Sequence, residues 1–178
     1  MPDYSLPEEL IAEILSPALT VSDDVFSDTS DISPFTEYLE SSSSYLLVCK
    51  AWCRVGTPLL YNVVILRSKA QAKALGRVLS KNKELGRFIR KLRVEGGYGS
   101  PMAVILESAP NISDLCISFE ILSADSASGL CTGLSLINPT RVILRHPNVY
   151  RRRNKGIIDL EDALAQAITK WDRLVRPH

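Results

Sequence analysis

Between Leu60 and Leu144 one apolar spacing returns four times. It runs Leu60-x-x-Val63-x-Ile65, Ile89-x-x-Leu92-x-Val94, Ile112-x-x-Leu115-x-Ile117 and Pro139-x-x-Val142-x-Leu144, with the central positions 29, 23 and 27 residues apart. The alternating half of each copy has the period of a strand with one buried face. Between copies the spacing becomes helical, over Lys69 to Leu85, Met102 to Ala109 and Ser123 to Leu134. Turn residues at Gly96-Gly97, Ala109-Pro110-Asn111 and Asn138-Pro139 separate the elements. A single strand–helix unit cannot bury its own apolar face, whereas stacked copies bury a continuous core. The spacing therefore predicts an α/β (α+β) chain with a short β/α solenoid over 62–176. A last helix is expected from a cap at Asp159. Trp171-x-x-Leu174 then opens a fifth copy that is not completed, so the array reads as truncated at its C-terminus.

Ahead of the repeats the pattern is helical. Ser5 is placed to cap a helix with Pro7 in its first turn and Glu8 and Glu9 at its positive end. Leu6, Leu10, Ile11, Ile14 and Leu15 are expected on one face, and Ser16-Pro17 is expected to end the run. Leu46 to Val55 forms a second helix, apolar nearly all round. Gly56 should stop it, with Thr57 and Pro58 starting another.

The stretch between these helices is different in kind. Thr20 to Ser44 carries six acids, eight serines and no Lys or Arg, whereas Arg67 to Arg93 carries ten bases and one acid, Glu84. A net charge of +1 hides this split. The acidic stretch is expected to be a solvated, mostly disordered loop, and closing such a loop costs only logarithmically with its length. Lys69, Lys73, Arg77 and Lys81 form a possible basic surface along one helix. No aromatic residue interleaves with them to stack on bases, so a solvated outer face is expected and nucleic acid is unlikely. Contact of this ridge with the acidic loop, in cis or on another copy, and a basic-surface nucleic-acid-binding or other interaction protein using Arg67–Arg93 are the alternatives.

Signatures of chemistry are lacking. Gly96-Gly97-Tyr98-Gly99 has neither the Lys-Ser/Thr of a phosphate loop nor a dinucleotide-binding spacing. Cys49 and Cys53 have no nearby histidine or further cysteine for a metal. His146 has no Gly-x-Ser-x-Gly elbow to serve. No enzyme, cofactor or metal is expected. With no signal-peptide layout and no apolar run long enough for a membrane, a cytoplasmic or nuclear protein is expected. Its four cysteines are then reduced. Arg151-Arg152-Arg153 with Lys155 is expected to be a polar loop.

Leu6-Pro7-Glu8-Glu9-Leu10 with Ile14-Leu15, followed by Leu47-Val48-Cys49-Lys50-x-Trp52, resembles the F-box. The resemblance covers 5–61, with an acidic, Ser-rich insertion at about 18–44. The units that follow resemble leucine-rich repeats, whose period is roughly 20–29 residues. Together they look like the F-box proteins that serve as substrate receptors of cullin-based ubiquitin ligases. The resemblance implies a non-catalytic protein that docks a Skp-type adaptor, and through it the cullin scaffold, while the repeats hold a protein substrate. Carried over, the adaptor-facing residues are Leu6, Pro7, Leu10, Ile14, Leu15, Leu47, Val48, Cys49, Lys50 and Trp52. A receptor that has lost a complete substrate surface is the alternative within this class.

Overall fold

The computed structural model describes residues 6–36, 42–146 and 154–175, so the expected cap at Ser5 and the run Arg151–Arg153 lie outside the described residues. Two apolar clusters organise the chain. The smaller joins helix α1 (Glu8–Leu19) to helix α3 (Lys50–Asn62). Between them lie a short helix α2 (Asp23–Ser27) and a 3-10 turn over Ser42–Leu47.

Pro17, expected to end the first helix, and Pro58, expected to start a new one after Gly56, both lie inside helices. α1 continues through Pro17 to Leu19, and α3 runs without a stop through Gly56, Thr57 and Pro58. A proline inside a helix costs about 3 kcal/mol through its lost N–H and its clash with the preceding turn. Burial offsets that cost. Leu15 and Leu19 pack over Gly56, where a Cβ would collide with Leu46 and press on both leucines. Gly56 is therefore a point of close helix approach, not a helix end. The second helix expected at Leu46 is a 3-10 turn leading to an α-helix that starts only at Lys50, with Cys49 as its extended cap residue.

The larger cluster is built on four parallel strands, β1 (Val63–Leu66), β2 (Lys91–Val94), β3 (Asp114–Ser118) and β4 (Arg141–Arg145), lying side by side in chain order. Helices α4 (Lys69–Lys81), α5 (Pro101–Ser108), α6 (Ser128–Gly133) and α7 (Lys155–Ile168) follow the strands in turn. The protein is α/β. Leu66, Leu92, Val94, Leu115 and Ile117 share one core with Ala72, Leu79, Ile105, Leu106, Leu130 and Leu160, so the helices cover one face of the sheet.

Strand register corrects one expectation. Val64 pairs with Leu92 and Leu66 with Val94. The first unit is thus Tyr61-x-x-Val64-x-Leu66, one residue later than the sequence spacing implies, and Val63 and Ile65 turn away from the helices. Val63–Leu66 is apolar throughout and carries no alternation, so the neighbouring strand decides which pair faces in. The other three units keep the expected register.

At the far edge, α7 is capped by Asn154, whose side chain accepts from Ile157 N at 3.0 Å while donating to Ile121 O at 2.7 Å. Asp159, expected to be the cap, lies within the helix. Trp171 is buried, its indole donating to Leu134 O at 3.3 Å, and Leu174 packs on the core. Val175 N donates to Thr140 O at 2.9 Å, the same kind of bond that Arg141 N makes to Ser113 O at the start of β4.

Candidate interaction surfaces

The ten residues singled out at the N-terminus separate into two groups. Leu15 and Trp52 face inward, in a cluster with Ile11, Leu19, Leu46, Val55, Leu59 and Leu60. Leu15 is only 1% exposed and Trp52 is half-buried, so both hold the two helices together. Leu6, just before α1, and Leu10 and Ile14, one turn apart on it, stay in solvent, with Leu10 at 45% and Ile14 at 52% exposure. Leu47 is 85% exposed, and Val48, Pro7, Cys49 and Lys50 are exposed as well. α1 thus has an apolar stripe on each of two sides, and the described residues cover only one. The single face expected for Leu6, Leu10, Ile11, Ile14 and Leu15 does not exist, because adjacent residues such as Leu10 and Ile11 point about 100° apart on a helix. An exposed ion pair between Arg54 and Glu8 also ties α3 to the start of α1.

The basic ridge behaves as an outer helix face. Lys69, Lys73, Arg77 and Lys81 are all exposed on α4. Among the described residues of the acidic stretch, 20–36 neither meet this ridge nor form a solvated loop, and residues 37–41 lie outside the described residues. Residues 20–36 lie across the sheet face opposite the helices, as a strap.

Alternation explains why that face can hold it. With Leu92, Val94, Leu115 and Ile117 in the core, the period of two turns Lys91, Arg93, Asp114, Cys116, Ser118, Arg141 and Arg145 the other way. Lys91, Asp114 and Arg141 are register partners, and Asp23 closes over them. Its carboxylate accepts from Lys91 Nζ at 2.6 Å and from Arg141 Nη1 at 2.8 Å and Nη2 at 2.5 Å, while Arg141 Nε donates to Asp114 at 2.5 Å. These bonds, from Arg141 first and Lys91 second, hold the Asp23 carboxyl well below its ordinary range and push the Arg141 guanidinium above its own. α2 begins at Asp23, which also suits the positive end of a helix.

Two arginines hold the backbone of the strap. Arg93, fully buried, donates through Nη1 to Phe26 O at 2.8 Å and Asp28 O at 2.7 Å. Arg145 donates through Nε to Ser30 O at 2.9 Å and through Nη2 to Asp31 O at 2.5 Å. Glu95 balances the first of them, accepting from Arg93 Nε at 2.8 Å, Arg67 Nε at 3.3 Å and the Ser33 hydroxyl at 2.5 Å. A buried ion is tolerated only when its partners replace water, and here carbonyls of the strap supply that replacement. One donor is missed: Arg93 Nη2 is buried without a hydrogen-bond partner.

Aromatic rings seal the arrangement. Phe26 is fully buried with Lys91 Nζ 5.5 Å from its centroid, and Phe35 is buried with the Arg93 guanidinium 5.3 Å away, distances at which a cation and a ring attract. Cys116 is buried although it faces the strap, and burial pushes its thiol pKa up. Near the strap end of the sheet, Tyr98 adopts a left-handed φ of 47° before Gly99 at 65°. Asp125 secures this turn by accepting from Gly97 N at 2.7 Å and Tyr98 N at 2.9 Å.

Sequence reasoning missed Lys91, Arg93, Arg141 and Arg145 as a group. The signal was present: in Lys91-Leu92-Arg93-Val94 and Arg141-Val142-Ile143-Leu144-Arg145 the bases alternate with core residues. Among the described residues no cluster of metal-ligating side chains occurs, and no helix is long and apolar enough to cross a membrane. The architecture is thus that of an α/β protein with two candidate contact surfaces, one apolar and open, the other charged and covered. No protein-family model, no curated protein and no solved structure matches the chain.

Proposed function

We propose that this chain is a non-catalytic substrate receptor, in which the α1–α3 module acts as an F-box and the strand–helix units act as a leucine-rich-repeat-like solenoid. The module docks a Skp-type adaptor of a cullin-based ubiquitin ligase, and the solenoid holds the protein to be modified, in the cytoplasm or nucleus. The observation that carries this reading is the uncovered apolar set Leu6, Leu10, Ile14, Leu47 and Val48 on a two-helix module whose residues follow the F-box order. Large apolar side chains left together in solvent mark a surface that a partner covers, and their burial is worth very roughly 1.5–3 kcal/mol each before ordering costs. Leu15 and Trp52 act indirectly, by holding α1 on α3. Such a receptor works by proximity, raising the effective concentration of its substrate near the transferring enzyme.

Co-purification with a Skp-type adaptor tests the reading. The intact chain should form a complex at micromolar concentration, and Leu47→Asp or Ile14→Asp should abolish it while leaving thermal unfolding unchanged, since both positions face solvent. A folded chain that captures no adaptor rejects the reading.

A further inference from the structure

We infer that the strapped face of the sheet is a binding surface for an acidic, aromatic-bearing peptide segment of another protein, and that residues 20–36 occupy it as an internal competitor. The inference rests on the receptor reading for its biological sense, and names the substrate class that the sheet face would take.

The resident strap shows what the face selects. Lys91 and Arg141 take a carboxylate, that of Asp23. Three residues later Phe26 fills the space beside Lys91, and Phe35 lies against Arg93. Between these points Arg93 and Arg145 hold four backbone carbonyls, which any sequence supplies. The recognition rule is therefore an Asp-x-x-Phe start, an extended or turning chain without bases, and a second aromatic ring. Charge complementarity is one-sided, because Thr20–Thr36 contains four acids and no base.

The fit of the strap is incomplete. Arg93 Nη2 is fully buried beneath it and has no partner. Orphaned buried donors are rare and costly, so a ligand placing a carboxylate or phosphate there gains an interaction the resident segment lacks. Tethering compensates for the strap: its ends join α1 directly and the 3-10 turn before α3 by a short stretch, which gives it an effective concentration on the order of millimolar. A partner peptide must outbid that tether.

The experiment uses a synthetic peptide of residues 20–36 as probe. It is titrated against the intact chain and against a chain in which 20–41 is replaced by a Gly/Ser linker of equal length. The peptide should bind the strap-less chain at least about tenfold more tightly than the intact one, as expected from the tether. Binding should weaken at about 0.5 M salt and be lost on Arg141→Ala with Lys91→Ala. The full-length Asp23→Arg, Phe26→Ala variant loosens the strap without removing it, and should also bind the peptide at least about tenfold more tightly than the intact chain; this arm stands if the strap-less chain does not fold. Equal affinity for intact and opened chains, or no binding to a folded opened chain, overturns the inference. A concentration-dependent dimer of the intact chain that exchanges straps assigns the face to a second copy and overturns it as well. Peptide binding reads the sheet and adaptor capture reads α1, so failure of one is distinguishable from failure of the other.

Discussion

Thr20 divides two neighbouring segments with opposite fates. Before it, α1 is strongly apolar and yet leaves Leu10 and Ile14 in solvent, with Leu6 exposed just ahead of the helix. After it, a polar, serine-rich strap buries Phe26 and Phe35 and has its backbone gripped by two arginines. Hydrophobicity alone does not decide burial. α1 has apolar residues on more sides than the described residues cover, whereas the strap meets a sheet face whose bases keep donors free for its carbonyls and for Asp23. One surface is left open to solvent; the other is covered by the chain's own strap.

Breaking the covered side should produce the largest effect. Phe26→Ala removes a fully buried ring, and such truncations cost about 3–5 kcal/mol. Here the strap should detach before the sheet unfolds, which caps the loss at the strap's own docking energy. Cys116 reports the event directly. In a background of Cys49→Ser, Cys53→Ser and Cys131→Ser, its alkylation should be slow in the otherwise intact chain and fast with Phe26→Ala, with cooperative unfolding of the sheet retained. Slow alkylation in both would show that the strap is not what buries Cys116.

The two stripes of α1 sharpen the contrast at intermediate scale. Leu15→Ala empties a site packed against Gly56 and Trp52 and should cost about 2–5 kcal/mol in urea unfolding. Leu10→Ala, one stripe over, should stay within about 0.5 kcal/mol. Similar losses at both positions would mean that the outer stripe is covered within the chain itself.

The smallest effect concerns pH. Asp23 is held below its ordinary value of 3.8 by Arg141 and Lys91, so the folded state favours the ionised carboxylate. Its contribution to strap docking is fully present above that ordinary value and is lost as the pH falls below it toward the depressed folded value. Because Asp23 is about half exposed, each ion pair is worth only about 0.2–1 kcal/mol. Hydrogen exchange of residues 23–28 between pH 5 and pH 2 should show the strap loosening earlier than the sheet. Asp23→Asn should remove that difference, and a persisting difference would place the pH response elsewhere.

Much of the fold was legible in the sequence because it is local and periodic. The units starting at Ile89, Ile112 and Pro139 follow from apolar spacing and turn residues, since a strand with one buried face needs period two whatever packs on it. β1 was shifted by one residue because four consecutive apolar residues hold no phase. Pro17 and Gly56 were misread as helix ends and Pro58 as a helix start, since local propensity favours a break there and only Leu15, Leu19 and Leu46 meeting at Gly56 override it. Of the candidate surfaces, Leu6, Leu10, Ile14 and Leu47 were singled out by a resemblance alone, and which stripe of α1 faces out was not legible in the sequence.

By itself the sequence determined the alternation of strands and helices after Asn62, the apolar character of α1 and the separation of an acidic stretch from a basic one. Those properties belong to short windows of chain. Only the tertiary structure decided where the acids go. Asp23 and Arg141 are 118 residues apart, and no local rule connects them. Their meeting depends on the alternation of β2, β3 and β4 turning Lys91, Arg93, Arg141 and Arg145 to one face, and on α1 delivering the acidic stretch to it. Long-range charge pairing is selected by the geometry of the finished sheet, and that geometry makes a segment with the composition of a disordered loop into an ordered cover.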